Sequence, residues 1–537
     1  MIASEQPYNF IIVSAGVGGL VLASRLCEDA TANVLLVEAG PNHMGDLHVE
    51  TPGLLGAMFG DPDFDWNYLT EPQRSNQVHA NNRQMGQPRG WIVSSFSALN
   101  FSIVAYPSHA NFEAWESLDN DGWEPDAMAP YLRKFHTYTP PSETTSALLS
   151  LDQYMKADNQ GNQGPVPVCH PDVYTPFNQT WNETPPGICW GLLRPGRRTA
   201  QKPHLFTETM VERVALTKSD DGQVTATGVQ IQTKDGEQLA VSATREVFIS
   251  AGTLNSPQLL DLSGIGAADL LKKHSIPVVL DLPGVGENLQ DHRVVQPLVE
   301  LYEKTRPGPL TGMPYLDSPQ VEQFSPGRQQ QYNILRQMLR DDQTGSAQYM
   351  FLNSQVNVKP GVSTMAYALS KDLPENYISI MALLNHPFSR GSIHIRSANP
   401  GEKHVYDPKY LSHPLDLEVL ARHTQFLDRI AGTQPFSSLL KPGARVPEAA
   451  VDLADLEKAK EVVKDCLFHD FHPVGTYAVM PADLGGVVDP QLKMHGTRNL
   501  RVVDASIFPL ETSGNIQAMT YAVAERATDM IRSSAHH

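Results

Sequence analysis

Cysteine is scarce in this chain, with four residues among 537: Cys27, Cys169, Cys189 and Cys466. So few cysteines in so long a chain exclude a disulfide framework, and their spacing fits no zinc finger or ribbon, so no metal site is predicted. Cys169 and Cys189 are close enough in sequence to pair if the protein is exported, and the sequence leaves that alternative open.

Basic charge and long apolar runs are also lacking. The formal net charge is −18, which argues against nucleic-acid and anionic-membrane partners, because phosphate contacts need a basic surface. The most apolar stretch, residues 10–26, is interrupted by Ser14 and glycines, and only Glu5 is charged before it. We therefore expect neither a transmembrane segment nor a signal peptide. The compartment, cytoplasmic or that of a secreted mature form, stays open.

A glycine-rich turn is present near the start, in IIVSAGVGGLVLASRL (11–26). Apolar strands before and after a helix predict a βαβ unit of a parallel sheet. The dinucleotide pattern G-x-G-x-x-G falls on Ser14, Gly16 and Gly19, and Glu38 follows at the distance of a ribose-binding carboxylate. The alternative is a plain βαβ unit whose glycines only permit close packing of helix on strand.

Farther along, residues 208–252 alternate between apolar and polar side chains, which predicts an antiparallel β-meander returning to the main sheet. Segments rich in proline and glycine around 306–327 indicate a second boundary, followed by a more irregular region to about 460. With 537 residues, the chain is too long for one core.

Several long motifs then resemble the glucose–methanol–choline (GMC) family of FAD-dependent oxidoreductases. They are the βαβ unit with Glu38, PRGWIVSSFSALN (88–100), SAGTLNSPQLLDLSGIG (250–266), LPGVGENLQDH (282–292), FHPVGTYAVM (471–480) and the segment from Gly485 to Ile531. Their order along nearly the whole chain identifies it as a member of this family.

The resemblance implies an α/β fold in which a Rossmann-like FAD-binding domain, residues 1–296 and 464–537, carries an antiparallel-sheet substrate domain, residues 297–463. It also implies the residues that contact FAD. Ser14, Gly16 and Gly19 would face the pyrophosphate, Glu38 the adenosine ribose and Val211 the adenine. The flavin would be flanked by Ser95, Asn100, Asp504, Ala505 and Gln517.

Catalysis would fall to His472 and Asn515 by the same resemblance. An imidazole, with a reference pKa near 6.5, is suited to take the proton of an alcohol while hydride leaves for the flavin. An asparagine amide can donate a hydrogen bond to the oxygen that becomes charged. His469 and His495 are read as structural or surface residues.

Four positions near the cofactor depart from the family by lacking glycine: Ser14, Ser94, Ser95 and Phe101. Glycine is used where φ is positive or where backbone approaches a ligand without a Cβ, so each replacement bears on FAD binding. Serines in a slightly wider turn could still bind phosphate. Phe101 would either stack on the flavin or take part of its space.

Two functions of different class follow. The first is an FAD-dependent oxidase or dehydrogenase of a small uncharged alcohol, aromatic or from secondary metabolism. The second is a GMC-like enzyme that has lost FAD or its redox use and acts as an isomerase, lyase, dehydratase or cyclase through His472 and Asn515. A binding protein with a dead site is a third alternative, disfavoured because both residues are kept.

Overall fold

The computed structural model describes residues 7–73, 82–171, 174, 178, 180, 191–193, 203–295, 324–341, 344–352, 354–358, 362–370, 377–441 and 451–534. Cys189, and with it the alternative of a bond to Cys169, lies outside these residues.

The strands of this part are β1 (Tyr8–Val13), β2 (Val34–Val37), β3 (Tyr68–Leu69), β4 (Gln84–Gln87), β5 (Ile103–Val104), β6 (His136–Thr139), β7 (Val166–Cys169), β8 (Gly191–Leu193), β9 (His204–Phe206), β10 (Thr209–Lys218), β11 (Val224–Thr233), β12 (Gln238–Ile249), β13 (Ile265–Gly266), β14 (Leu280–Asp281), β15 (Arg293–Val295), β16 (Ala347–Leu352), β17 (Val362–Ser363), β18 (Ser379–Leu384), β19 (Ser392–His394), β20 (Val405–Asp407), β21 (Phe468–His469) and β22 (Leu500–Val502).

The α-helices of the same part are α1 (Val17–Leu26), α2 (Leu47–Glu50), α3 (His109–Glu116), α4 (Pro125–Lys134), α5 (Glu143–Leu148), α6 (Leu151–Tyr154), α7 (Gly252–Leu262), α8 (Ala268–Lys273), α9 (Pro326–Arg340), α10 (Met365–Ala368), α11 (Pro414–Gly432), α12 (Leu456–Cys466) and α13 (Gln517–Ser534). None of them combines the length and the apolarity needed to cross a bilayer.

The main sheet confirms the predicted βαβ unit and meander. β1 pairs in parallel with β2 and β12, β2 with β9, and β12 with β22. β10, β11 and β12 pair antiparallel, so β12 belongs to the meander in its first half and to the parallel sheet in its second. The central parallel strands β1 and β2 are mostly apolar and buried, as is typical of strands covered on both faces.

Close packing at the start of α1 depends on two of its glycines. A Cβ on Gly18 would lie 2.0 Å from the carbonyl oxygen of Val503, and one on Gly19 would lie 2.0 Å from that of Ser14. The helix can therefore approach the ends of β1 and β22 only with glycine at these positions.

A second sheet has the order β16-β18-β15-β21 and is antiparallel. Its strand pairs bring Met350 beside Met381 and Val294 beside Phe468. Two of its strands, β15 and β21, lie outside the predicted substrate domain of residues 297–463, because chain entering and leaving that region also pairs within the sheet. The domain boundaries themselves stay a prediction.

Candidate active site

The carboxyl ends of four parallel strands meet at one edge of the main sheet. Ser14 follows β1, Glu38 follows β2, Ser250 follows β12, and Asp504 comes two residues after β22. Ligands of open α/β sheets bind at such an edge. Two cavities lie there and a third adjoins them, and we name the three by position.

The edge cavity has a volume of about 1150 Å³ and is lined by Ser14, Glu38, Arg89, Ser95 and Val211 among others. The helix cavity, about 530 Å³, is lined by Gly16, Arg89, Ser250, Asp504, Ala505 and Gln517 among others. The reaction cavity, about 890 Å³, includes Asn100, Phe101, His472, Asn515 and Gln517 in its wall. Arg89 borders the first two cavities, while Phe471 and Gln517 border the last two, so the three form one series.

Glu38 is buried in the wall of the edge cavity. Its carboxylate accepts hydrogen bonds from the backbone N–H of Ala15 at 2.7 Å, the N–H of Gly40 at 2.9 Å and the hydroxyl of Ser14 at 3.1 Å. Burial raises its pKa against the opposing effect of these donors. Because a carboxylate offers about four acceptor positions, one remains for a hydroxyl within the cavity.

The serines that replace family glycines keep a left-handed backbone. φ is +76° at Ser14, +82° at Ser94 and +43° at Ser95. The turns therefore have a conformation that favours glycine, and each serine holds it at a cost of about 1–2 kcal/mol. The Ser94 N–H donates to the carbonyl of Ala15 at 2.9 Å, which ties the two turns together.

The helix cavity gathers hydrogen-bond donors that have no partner among the residues that the structure describes. Gly16 begins α1 without a side-chain cap, so the helix N-terminus faces the cavity with free N–H groups. The hydroxyls of Ser250 and Thr253 and the Nε2 of Gln517 are buried and without a hydrogen-bond partner. Such a set fits an anionic group.

Arg89 adds a cation at the border of the edge and helix cavities. Its guanidinium lies against Gly252, where a Cβ would be 2.0 Å from one of its nitrogens. Burial lowers its pKa, and Asp504, Tyr68 and Glu38 oppose that effect. Asp504 itself accepts hydrogen bonds from the N–H groups of Gly252 at 2.7 Å and Ser506 at 2.8 Å, so it holds the start of α7.

Gly19 is not in the wall of any of the three cavities. Its Cα faces the end of β1, where the lack of a Cβ permits close helix packing, and its place at a pyrophosphate stays a prediction. The other predicted cofactor residues all line a cavity. Ser14, Glu38, Ser95 and Val211 border the edge cavity, Gly16, Asp504, Ala505 and Gln517 the helix cavity, and Asn100 the reaction cavity.

The reaction cavity is largely apolar. One face of the second sheet supplies part of its wall, with side chains alternating along the strands. The remaining apolar side chains come from loops, β5 and α10. The apolar set is Phe59, Pro88, Leu99, Phe101, Ile103, Val294, Met350, Leu352, Val356, Met365, Met381, Phe468 and Phe471. Among the described lining residues there is no lysine or arginine.

Phe101 does not have the backbone conformation of a glycine position. It is absent from the residues with positive φ, among which its neighbour Ser102 has +57°. Its side chain is 42% exposed, borders the reaction cavity and lies with its ring centroid 6.2 Å from that of Phe59. Phe101 thus forms part of the cavity wall.

The two predicted catalytic residues are brought together, although 43 positions separate them. Asn515 Nδ2 lies 3.2 Å from His472 Nε2, and both side chains border the reaction cavity. His472 Nδ1 faces the opposite way, 2.9 Å from His292 Nδ1. Burial, with His469 beside it, lowers the pKa of His472 to about 3, so the ring is neutral at ordinary pH.

Two acids lie beside this histidine pair, a half-buried aspartate and a fully buried glutamate. Asp470 Oδ2 is 3.4 Å from His472 Nδ1, and burial together with Asp291 raises the pKa of the Asp470 carboxyl to about 8. Glu511 Oε1 is 3.4 Å from His292 Nδ1, and burial raises the pKa of Glu511 well above its usual range. In both carboxyls these surroundings favour the protonated form.

Sequence reasoning missed Arg89, His292 and Asp470 as site residues. Arg89 and His292 belong to motifs of the family resemblance, and Asp470 directly precedes one. Only their contacts in the folded chain place them at the site. His469 also borders the reaction cavity, but its ring nitrogens lie 2.8 Å from Asp291 Oδ2 and 3.1 Å from the carbonyl oxygen of Gly86. His495 lies 2.9 Å from the carbonyl oxygen of Met480, away from this cavity.

Comparison with known proteins relates this architecture to one family. The N-terminal and C-terminal profiles described as GMC oxidoreductase match residues 191–294 and 387–524. Dehydrogenase mpl7 of Monascus purpureus is 30% identical, with 98% of this chain and 96% of the relative aligned. GMC oxidoreductase family protein Mala s 12 of Malassezia sympodialis (strain ATCC 42132) is 31% identical, over 98% of this chain and 92% of its own.

Among solved structures, an FAD-dependent oxidoreductase from Chaetomium thermophilum superimposes with a TM-score of 0.82 at 25% sequence identity. The match covers 98% of this chain and 100% of that one. The α/β fold is therefore the fold of this neighbour over essentially the whole chain.

Proposed function

Because the chain belongs to the GMC oxidoreductase family, we propose that it binds FAD along the three cavities and oxidises an uncharged apolar alcohol, with His472 as the proton acceptor. The observation that carries this proposal is the pair of His472 Nε2 and Asn515 Nδ2, 3.2 Å apart in the wall of an apolar cavity. That cavity adjoins one that is rich in unpartnered donors.

The donor set fits FAD from end to end. Glu38 has an acceptor position left for a ribose hydroxyl, and Val211 borders the same edge cavity where the adenine would lie. The N-terminus of α1, the Ser250 hydroxyl and the Arg89 guanidinium would hold the pyrophosphate. The Gln517 Nε2 and Asn100 Nδ2, both buried without partners, would meet polar atoms of the flavin.

The left-handed serines support retention of the cofactor rather than its loss. In a protein that no longer binds FAD, cofactor binding would not require Ser14, Ser94 and Ser95 to keep a backbone conformation that costs free energy. The backbone instead keeps the turns that glycine would form.

The reacting groups have separate duties. His472 Nε2 would take the proton of the substrate hydroxyl. One N–H of the Asn515 amide donates to the lone pair of His472 Nε2 in the enzyme without substrate. The substrate hydroxyl would take that place, and the amide would then donate to the substrate oxygen as negative charge develops there. FAD, when bound, would supply the acceptor for the hydride that leaves the carbinol carbon. The apolar wall would exclude water while this occurs.

The residues that line the reaction cavity also indicate the class of substrate. The described lining carries no lysine or arginine to pair with a carboxylate, and Asp470 would repel one whenever it is ionised. The rings of Phe59, Phe101, Phe468 and Phe471 suit an aryl or alkenyl group. We therefore favour aromatic or other apolar alcohols over anionic ones.

The test begins with the visible absorbance spectrum of the purified protein, before and after incubation with excess FAD. A panel of uncharged aryl, allylic and aliphatic alcohols, headed by benzyl alcohol, is then mixed with the flavoprotein without oxygen. We expect bleaching of the flavin band by benzyl alcohol and much slower bleaching by its anionic match, 4-(hydroxymethyl)benzoate.

A folded protein that stays colourless with excess FAD would overturn the proposal and favour the non-redox alternative. A flavoprotein that no alcohol of the panel reduces would overturn the assigned reaction. Faster reduction by the benzoate than by benzyl alcohol would overturn the assigned substrate class.

A further inference from the structure

We propose that His292 is a positioning residue that fixes the ring hydrogen of His472 on Nδ1, so that Nε2, which faces the reaction cavity, stays unprotonated. The arrangement is a relay of three groups: the backbone carbonyl of Asn385, the ring of His292 and the ring of His472. Its catalytic consequence rests on the proposed function, whereas the position of the hydrogen does not.

The first step is the contact between His292 and a carbonyl. His292 Nε2 lies 3.1 Å from the backbone oxygen of Asn385, and both groups are buried. Because a carbonyl oxygen can only accept a hydrogen bond, the hydrogen must be on His292 Nε2. The carbonyl thus selects one tautomer of the first ring.

The second step depends on the charge of His292. Its side chain is 0% exposed, and burial and the neighbouring His472 lower its pKa well below the usual range, so the ring is neutral. A neutral imidazole with its hydrogen on Nε2 has a lone pair on Nδ1. His292 therefore presents an acceptor to His472.

The third step is the contact between the two rings. His292 Nδ1 and His472 Nδ1 are 2.9 Å apart, with the ring planes at 80° to each other. Since His292 Nδ1 accepts, His472 Nδ1 must donate. Asp470 Oδ2, at 3.4 Å, is a second oxygen near the same nitrogen. A neutral His472 with its hydrogen on Nδ1 has its lone pair on Nε2.

The other side of His472 is consistent with this assignment. Asn515 Nδ2 lies 3.2 Å from His472 Nε2, and an amide N–H donates to a bare ring nitrogen. In the opposite tautomer, Nε2 would carry a hydrogen toward the substrate hydroxyl and could not take its proton. A catalytic histidine held in the wrong tautomer loses most of its rate in serine proteases.

Glu511 determines whether the relay keeps this direction. Its Oε1 is 3.4 Å from His292 Nδ1, and neither carboxyl oxygen has a hydrogen-bond partner among the described residues. Burial and Asp291 raise the pKa of this carboxyl and favour its protonated form, whereas Arg293 and Arg390 oppose that effect. An ionised Glu511 would instead draw a hydrogen to His292 Nδ1 and reverse the contact with His472.

The experiment is ¹⁵N NMR of the FAD-loaded enzyme labelled at histidine ring nitrogens, with His472 signals assigned from their absence in His472→Gln. We expect a protonated Nδ1 and a bare Nε2 for His472. In His292→Leu, which removes the acceptor, the two signals should exchange or average. In His292→Asn, whose amide oxygen can stand near the place of Nδ1, the original pattern should return.

A matched control is His170→Leu. His170 is also buried, at 3% exposure, and it lies outside the reaction cavity, so its replacement should leave the His472 signals unchanged. With benzyl alcohol as probe, the rate constant of flavin reduction should fall about tenfold to a hundredfold in His292→Leu and recover in His292→Asn.

A protonated Nε2 on His472 in the unmutated enzyme would overturn the inference, whether or not alcohols are oxidised. The same holds if His292→Leu leaves the His472 signals unchanged. If His292→Leu does not fold, the spectrum of the unmutated enzyme and that of His292→Asn still decide. The predicted tautomer in a protein that oxidises no alcohol would refute only the proposed function.

Discussion

The edge and helix cavities differ from the reaction cavity in the origin of their walls. The first two are formed largely at the carboxyl ends of parallel strands, where backbone N–H groups, serines and a buried glutamate converge. The reaction cavity is formed by apolar side chains of an antiparallel sheet and loops, with only a few polar groups. The first environment suits a polar anionic cofactor, and the second suits an apolar molecule whose one hydroxyl meets His472.

The largest expected effect comes from removing the imidazole of His472. We expect His472→Ala to lower the rate constant of alcohol-dependent flavin reduction at least about a hundredfold, because it removes the ring nitrogen that faces Asn515 and would accept the proton. The absorbance spectrum should still report bound FAD, since His472 borders only the reaction cavity. Near-normal reduction in a folded, FAD-loaded variant would exclude His472 from the reaction.

Replacement of Arg89 tests the proposed binding of FAD in the edge and helix cavities. We expect Arg89→Met to weaken FAD binding about tenfold to a hundredfold, as loss of a charge-assisted hydrogen bond would. Fluorescence titration of the FAD-free protein measures this affinity, and circular dichroism checks folding. Arg89→Lys, which keeps the charge, is the matched control and should lose less. Equal FAD affinities of the unmutated protein and both variants would show that Arg89 does not bind the pyrophosphate.

The few polar groups of the reaction cavity can be examined through pH. Because the pKa of Asp470 is about 8, its carboxyl ionises as pH rises through that value, and the charge then lies 3.4 Å from His472 Nδ1. A negative charge there stabilises the imidazolium formed on proton uptake. We expect flavin reduction to accelerate up to about tenfold across this pH range, the effect of a one-unit rise in the pKa of His472.

Asp470→Asn is the control for this pH dependence. It keeps the shape of the side chain and cannot ionise, so its rate profile should be flat through pH 8. A rise that persists in the variant would assign the titration to another group.

The smallest expected effect concerns the left-handed serines. Ser94→Gly should raise the free energy of unfolding, measured with denaturant, by about 1 kcal/mol, because glycine adopts φ of +82° without strain. Ser94→Ala is its match: it also loses the hydroxyl, which lies 2.5 Å from that of Ser97, and keeps the strain. The difference between the two variants isolates the backbone contribution. Equal stabilities would contradict a strained turn.

Much of the first environment was predictable because its signals are local. Alternation and apolar runs gave β1, α1, β2 and the meander, and the turn after β1 with Glu38 after β2 indicated the edge of the sheet. Among the turn residues, Gly19 lies outside the walls of the three cavities, and its surroundings depend on how α1 packs against β1.

The reaction cavity could be predicted only through family resemblance. His472 and Asn515 come from different loops, and nothing in the spacing of either motif requires a contact of 3.2 Å. His292 lies 180 positions before His472, at the end of the motif of residues 282–292, and nothing in that motif indicates a contact with His472. The roles of these residues stay predictions.

By itself, the sequence determined the elements and the chemistry available in the chain: a parallel sheet ending in small and acidic residues, a meander, and a histidine with an asparagine among apolar segments. Tertiary structure alone decided which side chains meet. Short-range patterns record whether a residue is buried, because burial repeats with the period of a strand or helix. They do not record which distant buried group lies opposite, and here that partner determines where the hydrogen on His472 lies.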